Sequence, residues 1–178
     1  MKWLGQDERA GNRRGRRTTT SSRSRSSPRT KVSLRLAAGA DVAVLLAMMD
    51  DFNRSEGIAF DRVAGERALR RLVRDPSLGF VAIFFEAGEP IGYAVLTYGF
   101  DIEWGGCDAL LTELYVRPER RARGLGAAAL ELVERRARAG GANAVSLGVR
   151  PENAPAMSLY RGAGYGGPSR LLLSKRLR

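Results

Sequence analysis

The most informative stretch of this chain is Arg121-Ala122-Arg123-Gly124-Leu125-Gly126. It follows an apolar, strand-like segment from Leu111 to Val116, after a short turn at Pro118, and it opens directly into a helical pattern from Leu125 to Ala139. A strand, a basic loop and a helix start together bring free backbone N–H groups and the positive end of the helix dipole to one point. The two glycines let the backbone approach an anion that a side chain would obstruct. The stretch therefore predicts a site for a phosphate-bearing ligand.

The spacing of this stretch excludes two common phosphate loops. No Gly-Lys-Ser/Thr follows it, as a P-loop would require. A dinucleotide fingerprint would need a glycine where Ala129 stands, and it would follow the first strand of the domain rather than a late one. Taken alone, so short a motif in an arginine-rich chain is equally compatible with a solvated turn.

A second motif lies downstream, after a strand predicted from Ala144 to Val149. It reads Asn153-Ala154-Pro155-Ala156-Met157-Ser158-Leu159-Tyr160-Arg161-Gly162-Ala163-Gly164-Tyr165. In order and spacing the two motifs resemble the GNAT superfamily of acetyl-CoA-dependent N-acyltransferases, whose motif A has the form Arg-x-x-Gly-x-Gly after Val-x-Pro. The downstream segment resembles the family's Asn-x-x-Ala-x-x-Leu-Tyr-x-x-x-Gly-Phe, with Tyr165 in place of Phe. The resemblance covers Val32 to Lys175 in element order and is sharp from Glu113 to Tyr165.

Hydrophobic periodicity and turn residues predict six strands and four helices. The predicted strands are Val32–Leu36, Phe80–Phe85, Ile91–Tyr98, Asp108–Val116, Ala144–Val149 and Leu171–Lys175, with Ala87-Gly88-Glu89-Pro90 as a hairpin turn. The predicted helices run from an Asp41 cap to about Phe52, from Ala64 to Arg74, from Leu125 to Ala139 and from Ala154 to Arg161. The resemblance implies that these elements form the GNAT acyltransferase fold, an α/β (α+β) domain with a mixed central sheet of six to seven strands and helices on both faces.

The charge of the chain is concentrated in its first residues. Residues 1–31 carry ten basic and two acidic side chains, which is +8 of the formal net charge of +11. Residues 1–30 are rich in Arg, Ser, Thr and Gly, and such a composition buries too little apolar surface to offset its ordering entropy. We expect a disordered tail at 1–30 and one domain at 31–178. The tail could bind nucleic acid through charge, be a transit-like segment, or result from an upstream start codon.

Composition also narrows the chemistry and the compartment. Histidine is absent, which removes His general bases, His-based triads and most zinc sites, so no metal is expected. Cys107 is the single cysteine, so no intramolecular disulfide can form. No apolar run approaches the length of a membrane span, and the basic N-terminus has no apolar h-region. These features favour a cytoplasmic protein without a membrane partner.

The resemblance implies that acetyl-CoA is the co-substrate and assigns residues to it. In the family the strand before motif A binds the pantetheine arm through its backbone, and here that strand supplies Leu114, Tyr115 and Val116. The pyrophosphate would lie on a loop made of Arg121, Ala122, Arg123, Gly124, Leu125, Gly126 and Ala127. Asn153 would contact the cofactor arm, cap the following helix, or do both.

Two residues are candidates for catalysis by this resemblance. Glu113 would take the proton of the amine, directly or through water, and its alternatives are a solvent-facing strand residue or a salt-bridge partner. Tyr160 would protonate the leaving thiolate, and its alternative is a core aromatic. The amides of Leu114 and Val116 are candidates for polarising the thioester carbonyl.

The acceptor side is predicted from the segment between two strands. Asp101 and Glu103 could hold a cationic amine, with Phe100 or Trp104 as an aromatic wall, unless the segment is only a solvated hairpin end. A second wall could come from three acidic residues on and after the first helix, Asp50, Asp51 and Glu56.

The sequence therefore predicts an enzyme, an N-acetyltransferase that moves an acetyl group from acetyl-CoA directly to a primary amine. The acceptor is expected to be a small molecule such as a polyamine or an aminoglycoside. A protein N-terminus or lysine is the alternative acceptor. A regulatory module that binds acyl-CoA without catalysis is the alternative of another class. Sequence alone does not separate a monomer from a homodimer.

Overall fold

Five strands form one mixed sheet, in the order in which they occur along the chain. The computed structural model describes residues 32–167, 173–175 and 177. Neighbouring strands are antiparallel except for the last pair, which is parallel. The strands are β1 Val32–Leu36, β2 Gly79–Glu86, β3 Glu89–Asp101, β4 Gly106–Val116 and β5 Val145–Leu147. The helices are α1 Val42–Glu56, α2 Arg62–Arg74, α3 Leu125–Ala139 and α4 Ala154–Gly162.

Helices cover both faces of the sheet, as the fold class predicts. One face packs against α1 and α2 through a cluster that includes Leu45, Met48, Ile83, Tyr93 and Tyr115. The opposite face packs against α3 through a second cluster, which includes Phe84, Leu96, Leu111, Leu130 and Val133. Because β2 and β3 contribute alternate side chains to the two clusters, they are buried on both sides and read as continuous apolar runs.

The β2–β3 hairpin turns on only two residues. Ala87 and Gly88 have φ angles of 51° and 85°, the left-handed pair that closes a tight hairpin with the right twist. Glu89 and Pro90, predicted as part of the turn, already belong to β3. The short turn therefore places Glu86 and Glu89 opposite each other at the end of the ladder.

Helix α1 begins without the side-chain cap expected from Asp41. The Asp41 carboxylate accepts from the Ala38 amide at 2.7 Å and pairs with Arg35 at 2.8 Å, so it stabilises the turn before the helix. Helix α2 does have such a cap, because Asp61 accepts from the amides of Val63 and Ala64. The prediction of an acidic N-cap was therefore wrong for the first helix, and it missed the cap of the second.

The described sheet is smaller than the predicted one at its C-terminal end. The closing strand was predicted from Leu171 to Lys175. Leu171 and Leu172 lie outside the described residues, and Leu173–Lys175 belong to no strand. The predicted tail at 1–30 also lies outside the described residues. Within the described ranges no helix is both long and apolar enough to cross a bilayer.

We predict that Leu130→Ala lowers the free energy of unfolding by about 2–5 kcal/mol, because the Leu130 side chain is fully buried between α3 and the sheet. Urea denaturation followed by circular dichroism would measure the change. Leu110→Ala is the matched control, since Leu110 is 39% exposed on β4 and its truncation leaves no cavity. Equal losses in the two variants would contradict the assignment of α3 to the core.

Candidate active site

One extra residue in β4 determines which way the later side chains of that strand point. Leu96 of β3 pairs with Leu111, but the preceding Val95 pairs with Glu113, so Thr112 has no partner across the ladder. Thr112 donates its hydroxyl to the Val95 carbonyl at 3.1 Å and so stabilises this bulge. A bulge reverses the alternation of side chains beyond it. Leu111 accordingly lies in the α3-side core, whereas Glu113 and Tyr115 share the α1 side of the sheet.

The same bulge directs two backbone amides of β4 away from β3. Before it, the Ala109 amide donates towards β5, to the carbonyl of Ala144 at 2.9 Å. After it, the Arg117 amide donates towards β3, to the carbonyl of Ile91 at 2.8 Å. By alternation the amides of Leu114 and Val116 face the β5 side, where pairing has ended at Leu111. We call this unpaired region beyond the Leu111–Leu147 pair the β4–β5 gap.

Glu113 lies in a partly buried position beside a fully buried tyrosine. The Tyr93 hydroxyl donates to Glu113 Oε2 at 2.5 Å, and Tyr93 itself is 0% exposed. Burial raises the pKa of Glu113 above its usual range, and the hydrogen bond from Tyr93 opposes part of that rise. Glu113 forms no ion pair with another described residue, so the salt-bridge alternative has no support. A carboxylate with a raised pKa is a stronger base than a surface glutamate.

The loop before α3 forms a concave surface of backbone amides. Ala122 and Gly124 adopt left-handed φ angles of 58° and 74°, and the first helical bond is donated by Ala128 to the Gly124 carbonyl. Within the described part of the chain no residue accepts a hydrogen bond from the amides of residues 122–127. Alternating backbone handedness and free amides at a helix N-terminus make an anion site. The loop therefore fits the diphosphate of coenzyme A.

The arginine side chains of this loop are turned towards the protein. Arg121 donates Nε to the Val116 carbonyl at 2.8 Å, and its guanidinium lies 5.7 Å from the centre of the Tyr115 ring. Arg123 lies 3.0 Å from the carboxylate of Glu86. The positive charges predicted to surround the phosphate are thus held by other groups of the fold.

Helix α4 brings Tyr160 to the same side of the sheet as the loop. Asn153 caps this helix, accepting from the Ala156 amide at 3.2 Å, which supports the capping alternative. Leu159 packs on the loop so closely that a Cβ on Gly126 would come within 3.3 Å of it. Tyr160 packs against the α3-side core and edge-on to Tyr165, and burial raises its pKa, which keeps the phenol protonated.

The four residues predicted to hold the acceptor lie elsewhere. β3 extends to Asp101 and β4 begins at Gly106, so the predicted loop is a hairpin tip. Phe100 is five positions along β3 from Val95, the partner of Glu113, which is roughly 17 Å. Trp104 accepts a hydrogen bond from Asn143, beyond the C-terminal end of α3, and Glu103 lies in the same tip. Phe100, Asp101, Glu103 and Trp104 therefore lie at the tip of the β3–β4 hairpin, away from Glu113, and their role towards the acceptor stays a prediction.

A cleft of about 380 Å³ lies on the α1 side instead, next to Tyr115. It is formed by the last turns of α1 and the connection from β4 to α3, and its lining residues are Asp51, Arg54, Ser55, Tyr115, Arg117, Pro118 and Glu119. Asp51 was predicted for this wall. Asp50 is paired with Arg62, and Glu56 lies 4.0 Å from Arg150 of the β5–α4 connection. Among the described residues no cluster of acidic or cysteine side chains could hold a metal ion.

Comparison with known proteins agrees with this geometry. The model of the acetyltransferase (GNAT) family matches residues 45–165, which include the loop, Glu113 and Tyr160. The chain belongs to the GNAT acetyltransferase family. It is therefore a member of a family of acyltransferase enzymes that use acetyl-CoA, and its fold is the GNAT fold, with five strands in the described part.

Similar proteins differ in what they are known to act on. A thialysine N-epsilon-acetyltransferase from Bos taurus is 35% identical over 81 residues, which are 43% of this chain. The chain spans about half the length of that curated relative, 48%. An integron cassette protein from the mobile metagenome of Cole Harbour Salt Marsh has 34% identity and a TM-score of 0.72 over 82% of this chain and 90% of its own. The aminoglycoside N-acetyltransferase AAC(6′)-Iy, solved with CoA, shares the fold at 16% identity and a TM-score of 0.71, over 84% of this chain and 98% of its own.

Sequence reasoning missed two residues of this GNAT site. Tyr93 was not considered because its contact with Glu113 depends on the register of β3 and β4, which the Thr112 bulge sets and no local pattern marks. Glu86 was not considered, because the predicted strand ends at Phe85. Its pairing with Arg123 joins residues far apart in the chain, and the charge of Glu86 directly after an apolar run was the one signal available.

We predict that Tyr93→Phe raises the pKa of Glu113 further. The hydroxyl stabilises the ionised carboxylate, so its loss favours the protonated form, and ionisation moves to higher pH. Titration of the Glu113 carboxyl by NMR would show the shift directly. Tyr98→Phe is the control, because Tyr98 packs on the other core and should leave the titration unchanged. An unchanged Glu113 titration in folded Tyr93→Phe would contradict the contact.

Proposed function

We propose that this chain transfers the acetyl group of acetyl-CoA directly to a primary amine of a small molecule. One observation carries the proposal, namely that the Thr112 bulge presents the Leu114 and Val116 amides to the β4–β5 gap and the Glu113 carboxylate to the α1 side. A donor on one side and an acceptor on the other would then meet at the same point of β4.

The donor side is suited to hold the thioester, the pantetheine arm and the diphosphate of acetyl-CoA. Acetyl-CoA would supply an activated acetyl group there. The amides of residues 122–127 would hold the diphosphate, and the unpaired edge of β4 would hold the pantetheine arm. The Leu114 and Val116 amides would stabilise the negative charge that develops on the carbonyl oxygen. Tyr115, also predicted for this role, would contribute its backbone, because its ring is buried in the α1-side core.

Proton transfer would depend on two groups with raised pKa values. An amine can attack only when neutral, so Glu113 would accept its proton, directly or through water. Tyr160 would give its phenolic proton to the departing sulfur. Because Glu113 and Tyr160 lie on different sides of the sheet, the two transfers need not compete for one group.

The cleft beside Tyr115 favours a small, polar acceptor. Its volume is in the range of small-molecule sites. Asp51 and Arg54 of this lining form an ion pair with each other at 3.2 Å, and Glu119 adds a further carboxylate. An acceptor with an ammonium group could be held by these carboxylates. The similarity to a thialysine acetyltransferase supports the same class of acceptor.

The decisive experiment is an acceptor screen with acetyl-CoA, read by release of the free thiol. The panel would contain lysine-like amino acids, polyamines, aminoglycosides and peptides with free N-termini. We expect turnover with a small amine and its loss in Gly124→Asp, which adds a side chain and a negative charge to the loop. Gly141→Asp, at the other end of α3 and also at positive φ, is the control for backbone strain.

Two results of the screen would overturn the proposal. Turnover with peptides alone would indicate a protein acceptor. Tight binding of coenzyme A without turnover of any amine would indicate a regulatory module.

We predict that Glu113→Gln slows acetyl transfer and removes the acidic limb of the pH–rate profile. The limb should lie above the usual range of a glutamate, because the pKa of Glu113 is raised and only the ionised form can accept a proton. The profile would be measured from about pH 6 to pH 10, where free amines also titrate. Glu131→Gln, on the exposed face of α3, is the control for loss of charge. An acidic limb at the same pH in Glu113→Gln as in the unmodified protein would remove this residue as the base.

We predict that Tyr160→Phe lowers kcat by roughly ten- to thousandfold, since the ring stays packed and only the proton donor is lost. Stability should change by about 1 kcal/mol at most, because no described residue is hydrogen-bonded to the hydroxyl. Turnover and melting temperature would be measured on the same preparation. Normal turnover with lowered stability would make Tyr160 a core residue only.

A further inference from the structure

Glu86 is a carboxylate buried at the end of β2. The residue is only 7% exposed, although it directly precedes the exposed Ala87–Gly88 turn. Its cross-strand partner Glu89 is exposed and forms no ion pair with another described residue. An ionised carboxylate is stable in such a position only when it is paired and hydrogen-bonded.

Two arginines from the phosphate loop supply the pairing. Arg120 Nη1 donates to Glu86 Oε2 at 2.9 Å, and Arg123 Nη2 lies 3.0 Å from Oε1. The contact to Oε1 is an ion pair without the geometry of a directed hydrogen bond, while Arg123 Nη1 also reaches Oε2 at 3.3 Å. The two arginines stand on either side of Arg121 and Ala122. The Glu86 carboxylate therefore contacts the loop on both sides of the left-handed residue Ala122.

The β2–β3 hairpin holds the preceding connection as well. The side chain of Arg117 donates Nε to the Pro90 carbonyl at 3.1 Å, and its amide donates to Ile91. With Arg121 bonded to Val116, each arginine from 117 to 123 is anchored to the fold. The amides of residues 122–127 are left as the groups of this loop that are free to meet an anion.

We infer that Glu86 is a positioning residue for the coenzyme A loop, and that Arg123 is a strut of that loop rather than a phosphate ligand. The inference rests on the proposed function, because it assumes that the loop binds the diphosphate. In this arrangement the carboxylate pairs with both Arg120 and Arg123, and the two ion pairs fix the backbone so that its amides converge. Ordering the loop before the ligand arrives reduces the entropy lost on binding.

The two possible roles of Arg123 predict opposite effects of a Glu86 mutation on coenzyme A binding. If Arg123 were a phosphate ligand, Glu86 would compete for it, and removing the carboxylate would tighten coenzyme A binding. Loss of a negative charge near an anion site would act in the same direction. Weaker binding after removal of Glu86 can therefore be explained only by loss of loop geometry.

The test is calorimetry of the full-length protein with coenzyme A at low ionic strength. We expect Glu86→Gln to weaken binding about tenfold, the usual scale for losing a hydrogen bond to a charged group. Glu89→Gln, from the same hairpin, calibrates the effect of charge alone and should bind no more weakly than the unmodified protein. The KM for acetyl-CoA should rise with the Kd while kcat at saturation is unchanged, as expected for lost uniform binding.

A second pair of variants keeps the inference testable if Glu86→Gln does not fold. Arg120 lies outside the concave amide surface and is partly exposed, so Arg120→Lys should fold. It keeps the positive charge but loses the guanidinium geometry, and it should also weaken binding several-fold. Arg135→Lys, on the exposed face of α3, is its control and should have no such effect.

Different results would overturn the role of Glu86 and the proposed function. Unchanged or tighter binding in folded Glu86→Gln, or an Arg120→Lys variant equal to its control, would overturn the role of Glu86. Failure of the unmodified protein to bind coenzyme A would instead overturn the proposed function.

Discussion

The bulge at Thr112 is the constraint on which the rest of the site depends. Without the extra residue, Glu113 would point into the α3-side core, and the Leu114 and Val116 amides would be taken up in the ladder with β3. With it, one strand presents its backbone to one side and a carboxylate to the other. The hydroxyl of Thr112 bonded to Val95 stabilises a local defect that an uninterrupted antiparallel ladder would remove.

The two halves of the site are built from different kinds of groups. The proposed donor half consists mainly of backbone amides, which carry no net charge and cannot change rotamer. Ion pairs to the buried carboxylate of Glu86 stabilise the loop that carries them. The proposed acceptor half consists of side chains on the α1 side of the sheet, where burial raises the pKa of Glu113. A substitution in the cleft can therefore change acceptor preference while leaving the donor loop intact.

Local patterns predicted the elements of this fold well, and they failed where contacts are distant in sequence. The Ala87–Gly88 turn and the start of α3 at Leu125 follow from residues within a few positions of each other. Thr112 could not be recognised as a bulge, because an extra residue shows only against its partner strand. The length of β3 has the same origin. Glycine and aromatic residues suggested a loop after Tyr98, whereas pairing with β4 extends β3 through Phe100 to Asp101.

The sequence predicted which residues belong to the candidate site better than it predicted which groups they contact. Glu113 and the glycines of the loop lie where the family resemblance would require them. The arginines were read by charge alone, and charge does not specify a partner. Burial determines the partner of Arg123. The buried carboxylate of Glu86 needs a positive charge beside it, and Arg123 supplies one.

The short parallel strand β5 has a consequence for motion in the molecule. It spans three residues and is joined to the described sheet only through β4, whereas β2 and β3 are paired on both edges. Strands with few hydrogen bonds open locally at lower free energy than the body of the sheet, so amide hydrogen exchange should be faster in β5 than in β2 or β3. The β4–β5 gap lies along this boundary. The protein would thus hold acetyl-CoA in the β4–β5 gap, next to the strand pair that opens locally at low free energy. A ligand bound across the gap would slow amide exchange in β5.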